Sequence, residues 1–184
     1  MRSDASLGMV LLLLFVAASW CVAGEIASGS AASPTQPTPT QPSPGQANPG
    51  QPIPATSDQL LGLTALKGHV IYLDFWASWC APCRASFPWM NRMQQELGRD
   101  GLVVIAVNVD RERADADQFM RELAPQFRVV FDPDGVLPEK FGVRGMPTSF
   151  LIDRNGRIQA RHEGFRLADR DALAQQIRTL VHAH

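Results

Sequence analysis

Five residues narrow the folding choices of this chain more than any others: Trp79-Cys80-Ala81-Pro82-Cys83. Before them runs His69 to Trp76 (HVIYLDFW), apolar, β-branched and aromatic, which predicts a buried strand. After them Phe87, Met90, Met93 and Leu97 recur at helical spacing, with Gly98 as the expected stop. The cysteine pair therefore sits where a strand hands over to a helix. The first turn of a helix leaves free N–H groups and the positive end of the macrodipole pointing outward. A thiol placed there has its thiolate stabilised and becomes a better nucleophile at neutral pH. The i, i+3 spacing sets the second sulfur on the same face. Cys80, at the N-terminal edge and expected to be exposed, is the candidate to attack a partner disulfide, and Cys83 the candidate to resolve the mixed disulfide.

Two plainer readings of the pair compete. A Cys-x-x-Cys can be half of a zinc site, but the chain has only three cysteines and no second pair to complete one. His162, His182 and His184 would have to supply ligands from distant positions. An inert structural disulfide is the other, although so short a loop constrains the unfolded chain little.

The remaining pattern is that of an α/β domain. Leu102 to Val109 (LVVIAVNV) reads as a parallel strand covered on both faces. Phe119 and Leu123 mark a short helix, and Arg128 to Phe131 a short strand. Thr148 to Ile152 and Arg157 to His162 read as strands joined at Asp153-Arg154-Asn155-Gly156, a hairpin signal. Leu173, Ile177 and Leu180 close the chain with an amphipathic helix. Such an order implies a central mixed sheet flanked by helices on both faces.

Upstream the chain changes character. Residues 26 to 57 carry no charge and hold eight of the 14 prolines. They read as an extended, solvated spacer. Before that, Ala5 to Gly24 are twenty uncharged residues with an apolar core at Met9 to Val16. Cys21-Val22-Ala23 before Gly24 fits a signal-peptidase site. An uncleaved membrane anchor and a lipid-bearing Cys21 are alternatives, the latter opposed by the bulk of Trp20. Each reading exports the domain to a periplasmic or other extracytoplasmic space, secreted or tethered through residues 5–24. The expected division is thus a leader at 1–24, a spacer at 25–57 and a folded domain at 58–184. With Arg2, Asp4 and Glu25 set aside, 16 basic and 16 acidic residues remain, a balance that gives no case for nucleic acid.

Leu73-Asp74-Phe75-Trp76-Ala77-Ser78-Trp79-Cys80-Ala81-Pro82-Cys83 resembles the active-site segment of thioredoxins. Pro88, inside the following helix, and Gly145-Met146-Pro147-Thr148, similar to the family's cis-proline loop, extend the resemblance over most of residues 66 to 184. The 64 positions from Cys83 to Pro147 exceed those of simple thioredoxins by about one helix plus one strand. That surplus, assigned to Ala114 to Phe131, and the Gly145 to Asp153 pattern resemble the TlpA/ResA-type branch. The resemblance implies a thioredoxin fold with a helix–strand insertion between the active-site helix and the cis-Pro loop. It implies a thiol–disulfide oxidoreductase that reduces protein disulfides outside the cytoplasm, with cytochrome c maturation or metal-site assembly as client pathways. It implies no cofactor beyond the cysteine pair.

Residue roles follow from the same likeness. Asp74 matches the buried carboxylate behind the resolving cysteine, whose pKa desolvation should raise, so that it can take the Cys83 proton through water. Pro147 would be cis and turn the Met146 backbone toward the cysteines, ready to pair with an extended substrate. Trp76 and Trp79 should pack beside the pair, Trp79 as docking surface together with Pro82. Proline before the second cysteine resembles the reducing members; the strong oxidants carry histidine there. A reductant in an oxidising compartment needs a membrane thiol donor as well as disulfide-containing protein clients, and a monomer suffices for both. Two other functions compete with this one. A peroxiredoxin-type peroxidase would want proline and threonine where Trp76, Ala77 and Ser78 stand. A copper metallochaperone would want a pair one residue wider, and Pro147 would crowd the metal.

Overall fold

The computed structural model describes residues 47–55 and 57–183. The expected leader, Cys21 and the spacer up to residue 46 lie outside the described residues, as does His184. In chain order the elements are α1 (Ser57–Leu61), β1 (Val70–Trp76), α2 (Ala81–Leu97), β2 (Leu102–Asn108), α3 (Arg113–Leu123), β3 (Arg128–Phe131), α4 (Val136–Lys140), β4 (Thr148–Ile152), β5 (Ile158–Glu163) and α5 (Arg170–His182). The strands form one mixed sheet in the order β3-β2-β1-β4-β5. β1 runs parallel to β2, and β2 to β3, while β4 is antiparallel to both β1 and β5. This is the thioredoxin fold expected from the sequence. The helix–strand insertion is α3 and β3, and β3 takes the outer edge beside β2.

The alternation of side chains along a strand splits the core in two. Ile71, Leu73 and Phe75 of β1 point to one face, where they meet Ile105, Val107, Phe150, and Leu137 and Phe141 around α4. Val70, Tyr72 and Trp76 point to the other, where α2, α3 and α5 supply Phe87, Trp89, Met90, Phe119, Leu173 and Ile177. Every residue of β1 is buried, as a near-continuous apolar central strand demands.

α2 ends at Leu97 with Gly98 as its C-cap, as expected; Gly98 has φ −60°, and a 3-10 turn carries the chain to Gly101, where φ is +105°. The Arg154 guanidinium lies 3.2 Å from where a Cβ on Gly101 would sit, so both backbone and space favour glycine there. One sequence expectation needs correction: the spacer does not run free to residue 57. The Gly50 N–H donates to the Ile158 carbonyl (2.6 Å), Ile53 to Gly156 (3.2 Å), and Ile158 back to Gln51 (2.9 Å). Residues 50–53 thus strap the start of β5, and Ile53 packs on the apolar core beneath. Composition predicts a solvated chain there because eight prolines over the stretch remove donors; the donors that remain find the sheet.

Candidate active site

Cys80 is the N-cap of α2, in extended conformation (φ −86°, ψ 103°). Pro82 occupies the second helical position, where its missing N–H costs nothing. Cys80 and Cys83 are joined in a disulfide, with Cα atoms 5.3 Å apart. The Cys83 N–H donates both to Cys80 Sγ (3.2 Å) and to the Cys80 carbonyl (3.1 Å). The Cys80 sulfur thus lies at the free N–H groups of the first turn, where a thiolate is favoured. Cys80 is not the exposed edge the sequence led us to expect. It is 3% exposed against 0% for Cys83, so the two differ more by their place on the helix than by access.

Beneath the pair, β1 carries Asp74 on the face that α2 covers, between Tyr72 and Trp76. Tyr72 stacks edge-on to Trp89 of α2, and Trp76 meets Phe87 of α2 and Phe119 of α3 at 4.8 and 4.6 Å. Asp74 is buried, and its Oδ2 has no hydrogen-bond partner. Desolvation pushes its carboxyl well above the ordinary carboxylate range. Burial, and secondarily the Asp74 charge, pushes the Tyr72 phenol up as well, against the bond it makes to Ser149 Oγ (2.8 Å). Trp76 Nε1 is likewise buried without a partner.

The pairing of Phe75 with Thr148 brings the end of β1 and the start of β4 to one end of the sheet. Met146-Pro147 is a cis peptide at that end, the same end from which the chain leaves β1 for the cysteines. Thr148 Oγ1 donates to the Gly145 carbonyl (2.7 Å) and Gly164 N–H to the Pro147 carbonyl (2.7 Å), tying the loop to β5. Pro147 is buried and Met146 partly so, while Trp79 stands 72% exposed.

A second carboxylate lies across the loop. Asp110 follows the end of β2 and is 7% exposed. It accepts the Ser78 N–H on both oxygens (2.9 and 3.2 Å), the Ser78 hydroxyl (3.1 Å) and the Asn108 side-chain amide (2.8 Å). Asn108 Oδ1 in turn accepts the Asp110 N–H (3.2 Å), and the Val109 N–H donates to the Trp76 carbonyl (3.0 Å).

A family model described as Redoxin matches residues 44–177. The chain belongs to the redoxin family. It is similar to the thiol-disulfide oxidoreductase ResA of Geobacillus thermodenitrificans (strain NG80-2), 33% identical over 97 residues, 53% of this chain and 56% of the relative. The ResA of Bacillus subtilis (strain 168) is 33% identical over 103 residues, 56% and 58% of the two chains. The chain thus spans about half the length of the curated relatives it matches. A solved structure from Chlorobium tepidum, given the name thiol:disulfide interchange protein DsbE, is 48% identical with a TM-score of 0.64, covering 74% of this chain and 96% of that one. These likenesses agree with the TlpA/ResA-type resemblance carried by the cysteine and proline motifs.

Of the residues singled out in the sequence, this redoxin-family fold gathers Cys80, Cys83, Pro82, Trp79, Met146 and Pro147 at one end of the sheet, with Asp74 buried in β1 below α2. Sequence reasoning missed the Asp110–Asn108–Ser78 cluster and Ser86, whose buried hydroxyl donates to the Cys83 carbonyl (3.0 Å). The one signal was Asn108-Val109-Asp110, polar residues closing an otherwise apolar strand run. Among the described residues no group of His, Cys, Asp or Glu is placed to hold a metal ion.

Proposed function

We propose that this redoxin-family chain is a thiol–disulfide oxidoreductase that reduces protein disulfides outside the cytoplasm. The observation that carries the reading is the Cys80–Cys83 disulfide at the N-terminus of α2, above a buried and unpartnered Asp74 oxygen.

In the reduced state the Cys80 thiolate attacks one sulfur of a client disulfide. A Cys80–client S–S bond forms and the client's other sulfur leaves as a thiolate. Cys83 then gives its proton to Asp74 and attacks Cys80 Sγ, which closes the Cys80–Cys83 bond and expels the second client sulfur. The client gains two electrons, its two thiolates take one proton released through Asp74 and one from solvent, and the cysteine pair is oxidised by the same two electrons. Asp74 suits the proton transfer because burial makes its carboxylate more basic than an ordinary one. The Met146 backbone beside Pro147 pairs with an extended client segment, and Trp79 with Pro82 supplies apolar docking surface.

Pro82 carries no charge that would stabilise the Cys80 thiolate, so the couple lies on the reducing side. A dithiol donor on the membrane then restores the pair, and clients are disulfide-bearing proteins such as those of cytochrome c or metal-site assembly. The uncharged residues 5–24 deliver the domain there, and the domain works as a monomer.

The test is the reduction potential of the full chain, equilibrated with glutathione and with dithiothreitol and read by thiol count. A value near about −270 mV, that of thioredoxin, is the expected outcome. A value near about −120 mV would make the protein a disulfide donor, and the absence of any couple would end the redox reading.

A further inference from the structure

Two sets of bonds hold the loop that approaches the pair: the Cys80 N–H donates to the Ala77 carbonyl (3.1 Å), and Ser78 is bound by Asp110, a residue outside the motif. The Asp110 carboxylate takes three of its four bonds from or beside that position: two oxygens to the Ser78 N–H and one to its hydroxyl. The fourth, from Asn108, locks the carboxylate itself, and Asn108 is fully buried at the end of β2. Two residues of chain reach at most about 7 Å, so the Ser78 backbone that Asp110 holds lies within that span of the Cys80 backbone. The Debye length in physiological salt is about 8 Å, and burial of the carboxylate weakens the screening further.

We propose that Asp110 is a positioning residue for the redox pair: it clamps Ser78 and sets a fixed negative charge beside the Cys80 sulfur. The proposal rests on the reductase reading of the same site. The clamp keeps Cys80 at the free N–H groups of α2. The charge works against the helix terminus, because it disfavours the Cys80 thiolate and with it the reduced form. A destabilised reduced form makes the disulfide the weaker oxidant, so Asp110 adds to the reducing bias that Pro82 already gives. Other charged groups border the cavity of about 150 Å³ that opens beside Ser78: Arg84, its ion-pair partner Glu122, and Asp115. Arg84 is neutralised by Glu122 and Asp115 adds negative charge, so none of them cancels Asp110.

The experiment uses the full chain with insulin as the disulfide substrate and glutathione as the reference couple. Asp110→Asn, nearly the same size but uncharged, is expected to raise the equilibrium constant for reduction by glutathione about fivefold, where tenfold corresponds to about 30 mV. Ser78→Ala keeps the charge and breaks one bond of the clamp. It should leave that constant within about twofold and slow insulin reduction about threefold. A constant unchanged in a folded Asp110→Asn overturns the electrostatic half, since a merely structural role would lower the melting temperature alone. An unchanged rate in Ser78→Ala overturns the clamp, and this variant decides the proposal if Asp110→Asn does not fold. Failure of the wild-type chain to equilibrate with glutathione would instead remove the reductase reading itself.

Discussion

The two faces of β1 are built from alternate residues of one heptapeptide, yet they obey different rules. Ile71, Leu73 and Phe75 enter a core of aliphatic and aromatic side chains, where Phe75, Phe141 and Phe150 meet at ring distances of 5.0 to 6.0 Å. Tyr72, Asp74 and Trp76 enter the face under α2, where a phenol, a carboxylate and an indole are closed off from water. Two of those three hold a polar atom without a partner, and each such group costs about 1–3 kcal/mol. One face therefore stabilises the sheet, and the other carries the buried polar groups beneath the cysteine pair. A domain can carry the second only because the first is well packed.

The contrast breaks most completely at the cysteines. Cys80→Ser should abolish insulin reduction altogether with a melting curve close to that of the reduced wild type, and Cys83→Ser should accumulate a mixed disulfide visible by mass. Residual turnover in Cys80→Ser would place the nucleophile elsewhere. On the quiet face, Phe75→Ala should destabilise the domain by about 3–5 kcal/mol in urea unfolding, while activity per folded molecule stays the same. A large loss of activity in the folded fraction would mean that both faces serve the site.

Asp74→Asn gives the opposite profile. Resolution of the mixed disulfide should slow about a hundredfold at neutral pH, the scale of a lost acid–base group. Stability should move the other way, and the sign follows from the raised pKa. Folded Asp74 holds its proton to higher pH than the unfolded chain, so the wild type loses stability as pH climbs from the ordinary carboxylate range toward the raised value. Each pH unit of that window is worth up to about 1.4 kcal/mol. Asp74→Asn should flatten this slope, and parallel slopes for the two proteins would show that Asp74 titrates normally. The smallest effect belongs to Trp79→Ala. It removes an exposed ring, so stability should stay within about 0.5 kcal/mol while the KM for insulin rises. An unchanged KM would remove Trp79 from the docking surface.

Much of this was legible before any coordinates. The strands at Arg128 to Phe131 and Thr148 to Ile152 fall where the apolar runs place them. The motif put Cys80 and Cys83 at a strand–helix junction because strand period, helix period and N-terminal chemistry all change within those few residues. The short helices α1 and α4 were not legible. Each has five residues, too few to show a period, and α4 carries Pro138 within it. The strap at residues 50–53 was hidden by its own prolines, since backbone donors pairing with a distant hairpin leave no mark on composition.

The sequence by itself determined the cysteine pair at a strand–helix junction and the order of the strands and longer helices, because each rests on local spacing or on a run of like residues, while the carboxylate beneath the pair was legible through the thioredoxin resemblance. Tertiary structure decided how buried Cys80 is, that Gly101 rather than Gly98 holds the left-handed turn, and that Asp110 reaches back 32 residues to Ser78. Those outcomes depend on which strands become neighbours. The parallel pairing of Trp76 with Asn108 brings the ends of β1 and β2 side by side. A carboxylate that reads as an ordinary loop residue in the chain thereby becomes the anchor of the redox loop.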